Sequence, residues 1–330
     1  MKLSVLDQTP TSNGQTSQQT LQNSVELAQL VDKLGYNRIW YSEHHGSENL
    51  ASASPEILIA HIASVTKQIR VGSGGIMLMH YSPLKMAELF KTLSTLYPNR
   101  IDFGVGRAPG GDWHSTLALH EGKKPRMDNQ YEKLKETIMF MTETMPEDHP
   151  YHNTLAAPFG GTLPEVWLLG SSGSSAAQAG QFGIGYSFAQ FISGQLSAPM
   201  LDAYRSNFVP SEIMPNPQVN VGYFVMAAET TEEAEYHAAS LDLNLLFMDT
   251  GLPFKVLSPE DALNYSYTEM DKMRIQHNRS RFLVGSAKEV ADTLRHHDEQ
   301  FGINEAVLGT ISHSHEARLK SYELLAKELL

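Results

Sequence analysis

Short apolar runs of strand length alternate along the chain with longer stretches whose apolar positions recur every three or four residues. The apolar runs predict strands at residues 3–6, 38–42, 69–78, 101–106, 165–169, 185–191, 219–227 and 305–309. The amphipathic stretches predict helices at residues 18–34, 55–66, 83–96, 129–142, 174–182, 198–208, 287–301 and 315–329. This repeated alternation favours a (β/α)8 TIM-type barrel of the α/β class over a doubly wound sheet, since no dinucleotide-binding fingerprint accompanies it.

Three stretches interrupt the repeat, at residues 108–125, 143–164 and 241–281. The first and the third predict insertions after strands 4 and 7 of the barrel. Loops that follow barrel strands surround the catalytic end, so both insertions are candidate walls of a substrate site, with solvated decoration as the alternative. No linker composition separates two units, and residues 1–330 are predicted to form a single barrel domain with a variable insertion at about 241–281.

Composition narrows the class of protein. The 330 residues include 25 Lys and Arg against 37 Asp and Glu, and this formal net charge of −12 argues against general nucleic-acid binding, which needs a basic surface. Cysteine is absent, so disulfides, thiolate nucleophiles and cysteine-ligated metal centres are excluded. The N-terminus lacks the apolar region of a signal peptide and no run of about 18 apolar residues occurs, which predicts a cytoplasmic protein without membrane contact.

Reactive side chains concentrate directly after the second predicted strand, in the sequence Glu43-His44-His45-Gly46. Barrel enzymes place their chemistry at this end of their strands. Three hypotheses remain open: an acid–base or cofactor-contacting histidine, a metal site built on the histidine pair, and structural histidines. Adjacent side chains of a strand point to opposite faces, so His44 and His45 do not converge easily on one metal ion, and a third protein ligand is not evident.

Glycines crowd the third predicted strand in the sequence Gly72-Ser73-Gly74-Gly75. Glycine weakens a strand interior and marks a close approach, either by a flat ligand or by a neighbouring backbone. The fourth strand is followed by Arg107 in a glycine-rich run that misses the GxGxxG fingerprint, because a proline takes the place of the last glycine. A charged residue at this position is expected to contact an anion rather than to lie in the core.

A serine-rich turn at residues 170–175 lies between the fifth predicted strand and the helix that follows it. The hydroxyl groups of Ser171, Ser172 and Ser175, with the free N–H groups of a helix N-terminus, would form a cup for an anion such as phosphate. The turn lacks the lysine of a P-loop, which argues against a nucleoside triphosphate. The alternative is that one of the serines caps the helix.

The order of these motifs resembles that of the flavin-dependent, bacterial-luciferase-like monooxygenases. The resemblance rests on residues 38–45, 71–78, 80–85, 100–110, 170–183 and 284–286, and it spans nearly the whole chain. It implies a TIM-like barrel, often a homodimer, that holds FMN at its C-terminal mouth. The motifs are specific for the superfamily and not for a substrate.

The resemblance also implies roles for individual residues. His44 takes the place of the catalytic histidine, and the peptide bond between Gly74 and Gly75 is expected to be cis and to lie beside the flavin ring. The implied cofactor-binding residues are Glu43, Ser73, Gly74, Gly75, Arg107, Ser171, Ser172 and Ser175. The last four of these, from Arg107 to Ser175, are implied to bind the phosphate, and no metal site is implied. Gly106 stands where the luciferases have a reactive cysteine, so light emission from an aldehyde is not expected.

The implied reaction uses reduced FMN and O2 to oxygenate an unidentified small organic substrate. A separate flavin reductase is expected to supply the reduced FMN, since no NAD(P)H-binding domain is evident. His44 would hold or protonate the reacting oxygen, a role that suits a group titrating near neutrality. Three alternatives stay open: an F420-dependent oxidoreductase on the same fold, a catalytically silent flavin-binding protein, and a barrel metallohydrolase that uses His44 and His45.

Overall fold

A computed structural model describes residues 1–126, 128–251 and 255–330 of the chain. The strands are β1 (Lys2–Asp7), β2 (Arg38–Tyr41), β3 (Arg70–Ser73), β4 (Ile76–Met77), β5 (Ile101–Gly106), β6 (Glu165–Gly170), β7 (Gly185–Ala189), β8 (Val219–Ala228), β9 (Phe282–Ser286) and β10 (Glu305–Gly309). The first helices are α1 (Ser17–Leu34), α2 (Pro55–Val65), α3 (Pro83–Leu96), α4 (Trp113–Leu119), α5 (Gln130–Thr142), α6 (Gly173–Gln181) and α7 (Gln190–Ser193). They are followed by α8 (Ala198–Asn207), α9 (Thr231–Thr250), α10 (Pro259–Leu263), α11 (Glu269–Arg279), α12 (Ala287–Phe301) and α13 (His315–Leu329).

The strands close into a parallel barrel, because β10 pairs with both β1 and β8. Around the barrel the order is β1, β2, β3, β5, β6, β7, β8 and β10. The short strand β4 pairs with β5 and extends the third barrel position. This architecture confirms the predicted (β/α)8 TIM-type barrel. Within the described ranges no helix has both the length and the apolar character needed to cross a membrane.

The third predicted strand, residues 69–78, differs from the prediction because it divides into β3 and β4. The division falls at Gly74 and Gly75, whose peptide bond is cis as the resemblance implies. A single 3₁₀ turn, Leu78–His80, then replaces the predicted end of the strand. At this point the chain leaves the regular ladder, and the N–H of Met77 donates to a Glu43 carboxylate oxygen at 2.8 Å.

The insertion after the seventh barrel strand contains more helix than expected, since residues 241–281 are predicted only as a variable insertion. Its first ten residues form the second half of α9, and α10 and α11 follow, while residues 252–254 lie outside the described part. Helix α9 was missed because residues 238–244 are buried on every side, which hides the helical period. The capping residue Thr230 and the acidic first turn with Glu232 and Glu233 were the available signal.

Strand β9 was also missed. It pairs with the end of β8 beyond the barrel, with Phe224 opposite Phe282 and Ala228 opposite Ser286. Its apolar run covers only residues 282–284. A run this short does not identify a strand from the sequence pattern. The insertion after the fourth barrel strand is confirmed and contains the short helix α4.

The N-terminal end of the barrel is filled by charged side chains. Arg38 donates to Asp102 at 2.8 Å, to Glu305 at 2.7 Å and to Glu165 at 3.1 Å. Burial raises the pKa of Asp102, but Arg38 and Arg70 outweigh it and hold the pKa of this carboxyl below its usual range. Above this layer lies an apolar cluster of Leu6, Trp40, Trp167, Met214 and Val307. These two layers close the lower part of the barrel and leave its C-terminal mouth open.

Candidate active site

A cavity of about 280 Å³ lies at the C-terminal ends of the barrel strands. Its apolar walls include Leu6, Trp40, Met77, Leu169, Phe191 and Val307. Its polar groups include Gln8, Ser42, His44, Arg107, Ser171 and Ser187. The C-terminal end of a parallel barrel is where the loops after the strands converge, so this cavity is the candidate active site.

His44 lines the cavity just beyond the end of β2. Its backbone N–H donates to the Ser52 carbonyl at 2.8 Å, and its Nδ1 lies 3.1 Å from the Ser42 hydroxyl. Nε2 has no partner among the described residues. Burial lowers the pKa of His44 to about 4, a shift that Glu43 opposes and His45 reinforces. The expectation that His44 titrates near neutrality is therefore wrong, because the imidazole is too well shielded from water to hold a charge at pH 7.

Glu43 points away from the cavity and organises the structure behind it. Its carboxylate is fully buried and accepts hydrogen bonds from His45 Nε2 at 2.7 Å, the Tyr81 hydroxyl at 2.8 Å and the Met77 N–H at 2.8 Å. The predicted cofactor contact of Glu43 is thus replaced by contacts within the protein. His44 and His45 point to opposite sides of the chain, so the metallohydrolase alternative loses the donor pair on which it was built.

Gly74 and Gly75 line the cavity. A Cβ atom at Gly75 would lie 2.8 Å from the backbone nitrogen of Gly106, and one at Gly74 would lie 2.9 Å from Cβ of Trp40. A side chain at either position would clash with neighbouring segments of the chain. Close packing within the protein therefore explains these glycines even without a flat ligand. Ser73 does not line the cavity. Its hydroxyl is 2.8 Å from the carbonyl oxygen of Gly104 and 3.0 Å from the nitrogen of the same residue, which ties β3 to β5.

A second group of polar atoms lies on the opposite side of the cavity, and we call it the anion corner: Arg107, Ser171, Ser172 and the N-terminus of α6. The Arg107 guanidinium is exposed, lies 5.5 Å from the Tyr131 ring centre and is 3.4 Å from the Ser172 hydroxyl. It makes no ion pair with a carboxylate in the described part of the chain. Ser172 occupies the N-cap position of α6, yet its side chain caps no helix N–H group.

The anion corner brings together residues that are far apart in the sequence. Arg107 and Ser171 line the cavity, while the Ser172 and Ser175 hydroxyls lie behind them, 3.3 Å apart. Ser175 donates to the Ser172 carbonyl at 2.8 Å, so its hydroxyl stabilises the turn rather than the helix end. A fixed positive charge next to free helix N–H groups is an arrangement that binds an anion.

Sequence reasoning missed several residues of the cavity. Gln8 and Ser42 each follow a barrel strand directly, and this position was itself an available signal. Phe191 belongs to the turn after β7, where its ring stacks on Phe224 with centroids 4.4 Å apart. The sequence pattern places Met77 inside a continuous strand, whereas in the structure its side chain reaches the space beside Gly106.

The lowered pKa of His44 predicts how stability depends on pH. The unfolded histidine has a pKa near 6.5, so between about pH 6.5 and pH 4 the unfolded state binds a proton that the folded state does not. The contribution of neutral His44 to the free energy of unfolding is therefore fully present above about pH 6.5, and it is lost as the pH falls toward 4. The free energy of unfolding of the wild type should fall more between pH 7 and pH 5 than that of His44→Gln. An equal fall in the free energy of unfolding of both proteins would contradict the lowered pKa of His44.

An eight-stranded barrel with a buried histidine and an anion corner at the mouth of its cavity is an arrangement compatible with a barrel enzyme that binds an anionic ligand. Comparison with known proteins identifies the class more closely. The chain belongs to the luciferase-like monooxygenase family, whose model matches residues 1–305.

Relatives with high coverage agree with this assignment. The chain is 37% identical to N-acetyl-S-alkylcysteine monooxygenase of Bacillus subtilis, over 100% of this chain and 98% of the relative. It is 33% identical to a luciferase-like monooxygenase of Escherichia coli, over 97% of this chain and 95% of the relative. The crystal structure of apo-MsnO8 matches with a TM-score of 0.90 at 37% identity, over 99% of this chain and 98% of that chain. The protein is accordingly an enzyme of the monooxygenase class, and the silent flavin-binding alternative is set aside.

Two more distant structures share the fold. The oxygenating constituent of 3,6-diketocamphane monooxygenase from Pseudomonas putida, in complex with FMN, matches with a TM-score of 0.71 at 20% identity, over 100% of this chain and 98% of that chain. An F420-dependent secondary alcohol dehydrogenase also matches with a TM-score of 0.71, at 16% identity, over 100% of this chain and 99% of that chain. A flavin-type cofactor is therefore compatible with this fold.

Proposed function

We propose that the protein is an FMN-dependent monooxygenase, which receives reduced FMN from a separate flavin reductase and transfers one oxygen atom from O2 to a small organic substrate. The observation that carries the proposal is the anion corner at the edge of an apolar cavity. Arg107, free of carboxylates in the described chain, lies beside the uncapped N-terminus of α6. A fixed cation and free N–H groups suit the terminal phosphate of FMN, which is a dianion.

The residues around the cavity fit the rest of FMN. Leu6, Trp40, Leu169 and Val307 offer apolar surface to a flat aromatic ring, and the Gly74–Gly75 segment adds a wall without side chains. When bound, FMN supplies the reaction of its reduced ring with O2, for which the protein provides orientation and shielding. The apolar walls would keep water away from the ring of a bound flavin.

His44 is the group that the chain presents to the reacting oxygen. When the Ser42 hydroxyl donates to Nδ1, Nε2 carries the proton and can donate it to a ligand in the cavity. Because burial keeps the imidazole neutral at pH 7, His44 acts as a hydrogen-bond donor rather than as a charge. Glu43 is a positioning residue, since it acts through His45, Tyr81 and the Met77 backbone.

The substrate we propose is a small thioether, an N-acylated amino acid with an S-alkyl group. The proposal is supported by the relative named N-acetyl-S-alkylcysteine monooxygenase, which is 37% identical over the whole of this chain. It is also supported by the cavity itself, because Met77, Phe191 and Ile192 offer an apolar surface for an alkyl group. Sulfur is easily oxidised by a transferred oxygen atom.

A coupled assay tests this function. The purified protein is mixed with N-acetyl-S-methylcysteine, FMN, NADH, O2 and a flavin reductase from an unrelated source. We expect an oxygenated product only when FMN, reductase and O2 are all present. Photochemically reduced FMN should replace the reductase and NADH, because the reductase only delivers reduced flavin. Product formation without flavin, or with reduced F420 but not reduced FMN, would contradict the proposed cofactor.

We also propose that the chain forms a homodimer through helices α2 and α3. An open groove of about 700 Å³ lies between these helices, and it includes Ile57, Leu96, Lys85 and Glu88. Ile57 and Leu96 are 66% and 63% exposed and line the same groove from adjacent helices, so they offer a joint apolar surface that a second copy would cover. Lys85 and Glu88 allow each copy to pair its charges with those of the other across a twofold axis.

The double variant Ile57→Glu with Leu96→Glu should be monomeric where the wild type is dimeric, as measured by light scattering after size-exclusion chromatography. The two substitutions in each copy would place four carboxylates at the twofold interface. These carboxylates would repel one another, and burial would remove their hydration without providing cations to pair with. The matched control is Met270→Glu, a 57% exposed residue of α11 far from this groove in sequence, which should stay dimeric. A monomeric wild type would exclude the dimer.

A further inference from the structure

Gln8 follows the last residue of β1 directly and lines the cavity beside Leu6. We propose that its side-chain amide is a binding residue of this site, which recognises an N–H donor next to a C=O acceptor, as found in amides and imides. This inference rests on the proposed function, because it treats the cavity as the place where cofactor and substrate meet.

The turn that presents Gln8 is held by buried charged groups. Thr9 has a φ of 51°, a left-handed conformation that a β-branched residue seldom adopts. Its N–H donates to Asp7 at 2.7 Å, and the fully buried Asp7 also accepts from Arg318 at 2.6 Å. Arg318 donates in addition to the Thr310 carbonyl at 3.1 Å, so α13 joins the ends of β1 and β10. Surroundings that impose an unfavourable backbone on Thr9 also fix the direction of Gln8, as is common at ligand sites.

The amide of Gln8 is unused within the described structure. Its backbone carbonyl accepts from the Thr9 hydroxyl at 2.7 Å, but its side chain makes no hydrogen bond to any described residue. The neighbouring strand end is close, because the Ser42 N–H donates to the Asp7 carbonyl at 3.3 Å. Gln8, Ser42 and His44 thus form a neutral hydrogen-bonding side of the cavity, opposite the anion corner.

The surrounding charges favour a neutral ligand group at Gln8 over an anion. Asp7 and Glu43 are both fully buried directly behind this side of the cavity. The nearby cation Arg318 is already paired with Asp7, and Arg107 lies on the opposite side, beside α6. A carboxylate or phosphate at Gln8 would be repelled by the Glu43 carboxylate and would find no unpaired cation on this side among the described residues. A neutral amide would not be repelled. Both the imide edge of a flavin ring and the secondary amide of an N-acetylated substrate have the required chemistry.

The test uses Gln8→Leu, with Gln68→Leu as the matched control. Gln68 is exposed and lies before β3, at the opposite end of the barrel. The Kd values for oxidised FMN and riboflavin are measured by flavin fluorescence, and kcat/KM is compared for N-acetyl-S-methylcysteine and S-methylcysteine. The loss of one neutral hydrogen bond corresponds to about threefold to tenfold in affinity.

Two results support the proposal and separate the two sources of the ligand group. If Gln8 binds the flavin ring, Gln8→Leu raises the Kd values for FMN and riboflavin by the same factor. If it binds the substrate amide, both Kd values stay within twofold of the wild type and the preference for the N-acetylated substrate falls threefold to tenfold. Gln8→Glu, which keeps the length of the side chain and loses the N–H donor, replaces the leucine variant if that variant does not fold.

Gln8→Leu that matches Gln68→Leu within twofold in every measurement would overturn the proposal. The same titrations with F420 separate this failure from failure of the proposed function. A wild type that binds F420 instead of FMN overturns the cofactor, while the effect of Gln8 is still measured, because the deazaflavin ring retains the imide. A wild type that binds no flavin of either kind overturns both proposals.

Discussion

His44→Ala should lower kcat by about 10²-fold to 10³-fold while leaving the Kd for FMN within twofold of the wild type. The expected size is that of a lost hydrogen-bond donor to charge that develops at the reacting atoms. The imidazole lies in the cavity wall, and among the described residues only Ser42 makes a hydrogen bond to it, at Nδ1. Its removal therefore takes away a hydrogen-bond donor to the cavity and breaks a single side-chain hydrogen bond. Steady-state product formation at saturating substrate and reduced FMN measures kcat, and flavin fluorescence measures binding.

Two further variants make this prediction specific. His44→Gln can still donate a hydrogen bond from its amide, so it should retain more activity than His44→Ala. His296→Ala removes an exposed histidine of the outer helix α12 and should change neither kcat nor Kd. Unchanged turnover in His44→Ala would leave His44 as a structural residue.

Arg107→Ala should weaken FMN binding by about tenfold to a hundredfold and leave riboflavin binding nearly unchanged. The factor follows from the loss of one hydrogen bond to a charged group, about 1.5–3 kcal/mol, at about 1.4 kcal/mol per decade of Kd. Riboflavin lacks the phosphate and has no group for the guanidinium to pair with. The ratio of the two Kd values therefore isolates the phosphate contact, and fluorescence titration of both ligands measures it.

The matched control for this prediction is Arg126→Ala. Arg126 directly follows the insertion at residues 108–125, its side chain is 71% exposed, and its Nε lies 3.8 Å from an Asp128 carboxylate oxygen. Its removal should change neither Kd, which separates a local contact from a general loss of positive charge. Equal weakening of FMN and riboflavin by Arg107→Ala would place the arginine at the ring or in the fold, away from a phosphate.

Much of the site could be predicted because a parallel barrel gathers the ends of its strands. Residues 43–45 and Arg107 each follow a strand, and the serine turn follows the strand next to that of Arg107, so topology alone brings the anion corner together. The alternation of side chains along a strand also separates His44 from His45. These predictions needed only the order of elements and the period of the strands.

The remaining features depend on contacts that a single sequence does not show. The lowered pKa of His44 arises from burial, and burial is set by the segments that cover the cavity. The carboxylate of Glu43 is directed by Tyr81 and Met77, which come from a different part of the chain. Helix α9 lost its amphipathic signal because it packs on all sides, and Gln8 was passed over because an amide has no reactive signature of its own.

Isotope incorporation shows whether one oxygen atom of O2 reaches the substrate when reduced FMN is bound. The protein, photochemically reduced FMN and N-acetyl-S-methylcysteine are mixed under ¹⁸O2, and the product is analysed by mass spectrometry. We expect a product that carries a single ¹⁸O atom and that forms with the wild type and in much smaller amount with His44→Ala. A product without ¹⁸O would contradict the proposed function, and so would oxidation of the substrate that uses F420 and needs no O2.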